Sequence, residues 1–245
     1  MPPQELEIAL EQERRLRFEV EDRLRRLNTD FQEFSSRIAH DLREPLRTVS
    51  SYCQLLATRF GDPEDAEAAL FLKYIRDAVD RAQALLVAVV EYSSIESERR
   101  HPVPVDMNAV FSEAARRAGH EGAFHRENLP RVIGDFGLLS NVMHHLLENA
   151  VKFAGRSDVS VEVSARRDDQ DVIVSVHDNG PGIEPAHQER VFGFFRRLHG
   201  REIPGTGMGL AYSRKALESL GGKLWLESAP GEGATFLFSL PAADD

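Results

Sequence analysis

Apolar residues recur along the first part of the chain at spacings of three and four. The series runs Leu6, Ala9, Leu16, Val20, Leu24, Leu27, Phe31, Phe34, Ile38 and Leu42, with Glu13 on one seam position. Alternating threes and fours form the seam of a coiled coil, and no Gly or Pro interrupts residues 4–34. Two successive four-residue steps, Leu16 to Val20 to Leu24, make a stutter that locally unwinds the supercoil. The series continues through Tyr52, Leu55 and Leu56 to Phe60 and ends at Gly61-Asp62-Pro63-Glu64-Asp65, a helix stop of Gly followed by Pro. A second series follows at Leu72, Ile75, Val79, Ala82, Leu86, Val89 and Ser93. Two long amphipathic helices and a short turn predict an antiparallel hairpin. One hairpin leaves an apolar stripe uncovered and two complete a four-helix bundle, so the pattern predicts a homodimer. A continuous first helix of roughly 55 residues is about 80 Å long.

The texture changes at Arg99-Arg100-His101-Pro102-Val103-Pro104-Val105, where two prolines in alternation predict a linker. Beyond it the pattern predicts a helix over 106–118, a short strand near 131–133 and a longer helix over 136–154. Alternating runs at 159–164 and 172–176 predict a hairpin. A Gly-rich stretch precedes a helix at 208–220, and strands follow at 223–228 and 234–240. Helices mixed with antiparallel strands predict an α+β sandwich, one sheet with helices on a face. The fold class is therefore a coiled coil and helical hairpin followed by an α+β sandwich. Its parts are residues 1–30 (coiled coil), 31–98 (hairpin), 99–105 (linker) and 106–243 (sandwich domain).

Composition narrows the function classes. The chain has 245 residues, 42% hydrophobic and 29% charged, so it can bury a core, and disorder is excluded. No apolar run reaches the ~20 residues of a membrane span, and the N-terminus lacks a signal peptide's pattern. The single cysteine, Cys53, excludes a disulfide framework, and the chain reads as cytoplasmic. A net charge of −10 offers no polycationic surface for nucleic acid.

Chemistry concentrates in a few motifs. Ser36 to Leu46 reads SRIAHDLREPL. His40 lies two positions past the seam residue Ile38, which turns its ring towards solvent. A neutral imidazole is a nucleophile near pH 7, and Asp41 is placed to accept its other ring proton. Pro45 removes a helical hydrogen bond and bends the helix beside it. In the second domain, Asp178-Asn179-Gly180-Pro181-Gly182 follows a strand, where glycines allow close backbone approach to a ligand. Gly205-Thr206-Gly207-Met208-Gly209 precedes a helix, offering backbone N–H groups to phosphates. It is neither a Walker A loop nor a Rossmann fingerprint. On helix 136–154, His145, Asn149 and Lys152 share one face, which brings an amide oxygen for Mg²⁺ and an ammonium for phosphate to one cleft.

These motifs, in this order, resemble the catalytic core of a two-component sensor histidine kinase. His40-Asp41-Leu42-Arg43-Glu44-Pro45-Leu46 resembles the phosphoacceptor motif, in the style of phytochrome-like kinases. Leu146 to Phe153 resembles the N box, Asp178 to Ile183 the G1 box, Val191 to Arg197 the F box, and Gly205 to Gly209 the G2 box of the ATP lid. Gly231 to Phe236 resembles the final strand motif. The resemblance implies a coiled-coil signalling helix, a dimerisation and phosphoacceptor hairpin, and the ATP-binding sandwich shared with gyrase, Hsp90 and MutL.

The implied activity is an ATP-dependent protein-histidine kinase that autophosphorylates His40 and passes the phosphoryl group to an aspartate of a response regulator's receiver domain. By the same resemblance Asp41 activates His40, Asp178 receives the adenine amino group with Thr235 nearby, and Asn149 holds Mg²⁺. Lys152 and Arg197 meet phosphate oxygens, Gly180 and Gly182 let the backbone pass the base, and Gly205, Gly207 and Gly209 hinge the lid. His145 stands where the family usually has Asn, as in the chemotaxis branch, and is read as a Mg²⁺ ligand, a proton relay or a structural residue. Glu44 replaces the usual Thr or Asn of kinases that also dephosphorylate their partner, which predicts weak phosphatase activity. Two alternatives remain: a degenerate kinase serving as a dimeric nucleotide-binding scaffold, and a clamp ATPase of the gyrase or MutL kind. The expected partners are a second copy, a response regulator, and either an upstream sensory domain or a separate sensor protein.

Overall fold

A computed structural model describes residues 39–40, 42–43, 46–58, 66–95, 101–154, 158–194 and 206–243. The seam before Ile38, Asp41, Glu44, Pro45, the turn at 59–65, Arg197 and Gly205 lie outside the described residues. The chain divides into two compact units, Met1–Glu98 and Arg99–Asp245.

In the first unit, residues 39–40, 42–43 and 46–58 are helical; the last stretch is α1, and α2 is Ala66–Ser94. Along α1, Cys53 is buried and Leu46, Ser50 and Ala57 are half-buried, a spacing of three and four that marks one face. Along α2, Val79 and Ser93 are buried and Leu72, Ala82, Leu86 and Val89 half-buried, as the periodicity predicts; Ile75 is exposed. A second apolar set, Leu42, Val49, Tyr52, Leu55, Leu56, Phe71 and Tyr74, is also exposed.

The second unit contains β1 (Val103–Asp106), α3 (Met107–Ala118), β2 (Phe124–Arg126), β3 (Arg131–Gly134), α4 (Phe136–Phe153), β4 (Val161–Asp168), β5 (Asp171–Asp178), the short α5 (Pro185–Gln188), α6 (Gly209–Ser219), β6 (Lys223–Ser228) and β7 (Ala234–Pro241). β1 and β3 form a two-stranded antiparallel sheet, and the main sheet has the order β2-β4-β5-β7-β6. Within it β2 runs parallel to β4 and every other pair is antiparallel. Val103 to Val105, expected to be linker, are strand: Pro104 stops a helix but is tolerated in a two-stranded sheet, where it pairs with Ile133.

α4 organises the core. Leu138, Leu139, Val142, Met143, Leu146, Leu147 and Ala150 form its buried stripe, and Val174, Val176, Phe236, Phe238 and Leu240 supply buried residues from the sheet. Asp135 caps α4 by accepting the Leu138 N–H at 2.8 Å. Off the stripe, His145, Glu148, Asn149 and Lys152 are half-buried, so the polar residues of α4 border the core rather than enter it.

Candidate functional site

The end of β5 delivers a carboxylate. Asp178 is only 8% exposed, and its Oδ1 accepts backbone N–H groups from Gly180 at 2.9 Å and Ala234 at 3.3 Å. Burial raises its pKa above the usual carboxylate value, against the lowering effect of those two N–H groups. Among the described residues Oδ2 has no hydrogen-bond partner. One acceptor oxygen of a buried carboxyl is thus left for a donor outside the protein.

The turn after Asp178 is tied down at several points. Asn179 accepts the Ser160 N–H at 3.0 Å and donates to the Asp158 carbonyl at 2.8 Å. Gly182 has φ +74°, and a Cβ there would overlap the Ala229 carbonyl, so only glycine fits. Ser228 Oγ accepts the Ile183 N–H at 2.8 Å and donates to the Gly233 carbonyl at 2.6 Å. Gln188 adds donation to the Ser228 carbonyl at 2.8 Å. The sequence reading missed Ser228 and Gln188, because neither belongs to a motif and both act across distant parts of the chain.

The register of β5 against β7 separates two residues expected together. Asp178 pairs with Ala234, and His177 pairs with Thr235. Side chains alternate across a strand, so Thr235 faces away from the Asp178 carboxylate. Its hydroxyl instead meets His177 Nδ1 at 2.9 Å. The residue that does reach Asp178 is Ala234, through its backbone N–H.

On α4, Lys152 Nζ lies 2.8 Å from Glu148 Oε1, an i,i+4 ion pair. Burial opposes ionisation of Glu148, but Lys152 and the two neighbouring histidines prevail, and its pKa falls below the ordinary value. Asn149 has no hydrogen-bond partner among the described residues, so its amide is open to a ligand. His145 is packed: its ring meets the Tyr212 ring edge-on at 5.3 Å and lies beside Gly209. Burial first, then the neighbouring His144, pushes its pKa down to about 4, so the ring is neutral at pH 7.

α6 starts at Gly209 with Met208 as N-cap and no side-chain cap, and Gly207 takes φ +71°. Among the described residues no side chain caps its first backbone N–H groups, which leaves them available to an anion. Phe192 packs edge-on against Phe236 at 6.4 Å, and the Arg214 guanidinium of α6 stacks over the Phe192 ring at 4.0 Å. In the helical unit His40 is exposed on its helix, as its offset from the seam predicts.

A buried acceptor at a strand end, an open amide on α4 and an uncapped helix after a Gly-rich loop suit a nucleotide's base, cation and phosphates. Two family models match in the corresponding places: the His Kinase A (phospho-acceptor) domain over residues 32–98, and the histidine kinase-, DNA gyrase B- and HSP90-like ATPase over residues 134–244. The chain is a homologue of the sensor histidine kinases.

Individual relatives agree. The phytochrome-like protein Cph1 of Synechocystis sp. is 37% identical over 224 residues, which is 89% of this chain and 30% of that protein. The methanogenesis regulatory histidine kinase FilI of Methanothrix harundinacea is 29% identical over 87% of this chain and 25% of its own length. This chain therefore spans less than a third of either curated relative. The crystal structure of full-length ShkA in complex with AMPPNP superposes with a TM-score of 0.65 at 26% identity, covering 88% of this chain and 47% of that one. Among the described residues of this histidine kinase homologue, no helix is long and apolar enough to cross a membrane.

Proposed function

We propose that the chain is an ATP-dependent protein-histidine kinase that phosphorylates His40 and passes the phosphoryl group to an aspartate of a response regulator. The observation that carries this reading is the buried Asp178 carboxylate with one open oxygen. It suits the exocyclic amino group of adenine, which donates where a guanine carbonyl would be repelled. Asn149 and the free N–H groups of α6 then serve the cation and the phosphates. Lys152 and Arg197 add positive charge, with Glu148 releasing Lys152 towards the nucleotide.

Among the described residues no group of three His, Cys, Asp or Glu could hold a metal ion. A Mg²⁺ here would bind through the Asn149 amide and complete its shell with phosphate oxygens and water, the usual arrangement for this ion. It supplies charge neutralisation of the transferring phosphate.

In the proposed step a ring nitrogen of His40 attacks the γ-phosphorus in line with the leaving oxygen. An N–P bond forms, the bond from phosphorus to the β,γ-bridging oxygen breaks, and ADP leaves. Asp41 accepts the hydrogen of the other ring nitrogen. A receiver-domain aspartate then takes the phosphoryl group and regenerates the imidazole. The exposed apolar set on the helical unit supports a homodimer through residues 6–98, with input from an attached sensory domain or a separate sensor protein.

The test is incubation of the chain with γ-labelled ATP and Mg²⁺. Acid-labile, alkali-stable label in the parent chain and none in His40→Gln, with nucleotide binding retained in both, is the expected result. Label of equal intensity in His40→Gln would move the phosphoacceptor elsewhere.

A further inference from the structure

His145 stands at the edge of the proposed nucleotide site, yet its surroundings are those of a wedge. A Cβ added to Gly209 would lie 3.3 Å from both Cγ and Nδ1 of the His145 ring and 3.5 Å from its Cβ. That is tighter than ordinary contact, so the ring would have to give. The ring is also met edge-on at 5.3 Å by Tyr212, 5% exposed and three residues after Gly209 on the same helix. Tyr212 is itself fixed: its hydroxyl accepts from Asn141 Nδ2 at 3.1 Å, and Asn141 Oδ1 accepts from Arg117 Nη1 at 2.8 Å. The Tyr212 N–H also makes the first helical bond of α6, to the Met208 carbonyl at 2.8 Å. A chain of contacts thus runs from α3 through α4 to the first turn of α6, and at the His145 ring it leaves Gly209 no room for a Cβ in ordinary contact.

We propose that His145 is a positioning residue: its ring is the seat against which Gly209 sets the start of α6, and so the phosphate-facing N–H groups, relative to Asn149 on α4. Gly209 is required because that ring is there, rather than for lid flexibility alone. This inference rests on the reading of the second unit as a nucleotide site. It assigns His145 to packing between the two sides of the site rather than to the cation.

The experiment is a double-mutant cycle in the full chain with Gly209→Ala, His145→Ala and the pair. Competition against a fluorescent ATP analogue gives affinities for ATP and for adenosine, which lacks phosphates. Gly209→Ala alone is expected to weaken ATP about tenfold, since it overpacks the contact with the His145 ring. In the His145→Ala background the same change should cost less than about threefold, because the clash is gone. Adenosine affinity should move less than about twofold throughout, since the base site lies at Asp178. An equal loss from Gly209→Ala in both backgrounds overturns the proposal, and so does a parallel fall in adenosine affinity, the mark of a merely structural defect. A loss on His145→Ala that appears with Mg²⁺ and vanishes in EDTA would make the residue a cation ligand instead. If Gly209→Ala does not fold, recovery of folding in the double variant replaces the affinity readout, and no recovery overturns the proposal. Failure of the parent chain to bind ATP at all would sink the kinase reading itself, an outcome distinct from an additive cycle in a chain that binds.

Discussion

Asp178 is held in a state that favours ligand recognition over stability. Burial raises its pKa, and the N–H groups of Gly180 and Ala234 only partly offset that effect. The native state therefore binds more protons than the unfolded state between the ordinary carboxylate pKa and the raised one, and stability falls as pH rises through that window. Asp178→Asn keeps an oxygen for both N–H groups and removes the titration. It should raise the thermal midpoint by a few degrees at pH 7 and flatten the fall above pH 4, with no gain at lower pH. The same substitution should weaken ATP about 10–100-fold, because a charged acceptor is replaced by an amide whose nitrogen opposes the adenine amino group. A lower midpoint at pH 7 would show that the carboxylate stabilises the fold. At this scale the sequence placed Asp178, Asn149 and Gly182 correctly as turn and helix-face residues, since turn chemistry and helical spacing are local. It misplaced Thr235 by one residue. Which of Ala234 and Thr235 meets Asp178 depends on the β5–β7 register, set by pairing between segments more than fifty residues apart.

Among the elements, α4 shows why some of the fold was legible and some was not. Its wide apolar stripe and eighteen residues announce a core helix, and the sequence boundaries agree with Phe136–Phe153 to within one residue. β2 has three residues, Phe124–Arg126, and no alternation of its own; it is a strand because β4 lies beside it. The same is true of β1, where Pro104 and the preceding Pro102 argue for a linker until β3 pairs with it. The cap of α4 gives a prediction that separates scaffold from site. Asp135→Ala leaves an N-terminal N–H without its partner and should cost about 1 kcal/mol of stability. The cap lies at the opposite end of α4 from Asn149, so ATP affinity of the folded variant should stay within about twofold. Denaturant unfolding and nucleotide titration on the same preparation check both; a tenfold loss of affinity would tie the N-terminal turn of α4 to the site.

At the scale of the whole molecule, the helical unit carries more apolar surface than one hairpin can bury. Leu42, Val49 and Leu56 are 46%, 44% and 46% exposed, and they follow one another at heptad spacing beside the buried Cys53, which lies four residues after Val49 and three before Leu56. A stripe of that kind on a marginal two-helix unit requires a partner. Placing charge in it, as Val49→Glu with Leu56→Glu, should convert a dimer at micromolar concentration into a monomer by light scattering, while ATP affinity of the second unit stays within about twofold. A parent chain that is already monomeric would contradict the four-helix bundle. The heptad seam then makes a last prediction, about how the first helix connects to His40. Each residue added to a helix turns everything beyond it by ~100°, whereas a full heptad restores the phase of the seam. Insertions of one to seven residues before Phe31 should therefore change the rate of His40 labelling periodically. The rate should fall or rise several-fold at three or four residues and return near the parent value at seven. The dimer contact and the ATP site are identical in all these variants, so only rotation of the His40 face distinguishes them. A rate that is flat across the series would mean that the coiled coil sets distance alone, and that its stutter at Leu16, Val20 and Leu24 carries no signal towards His40.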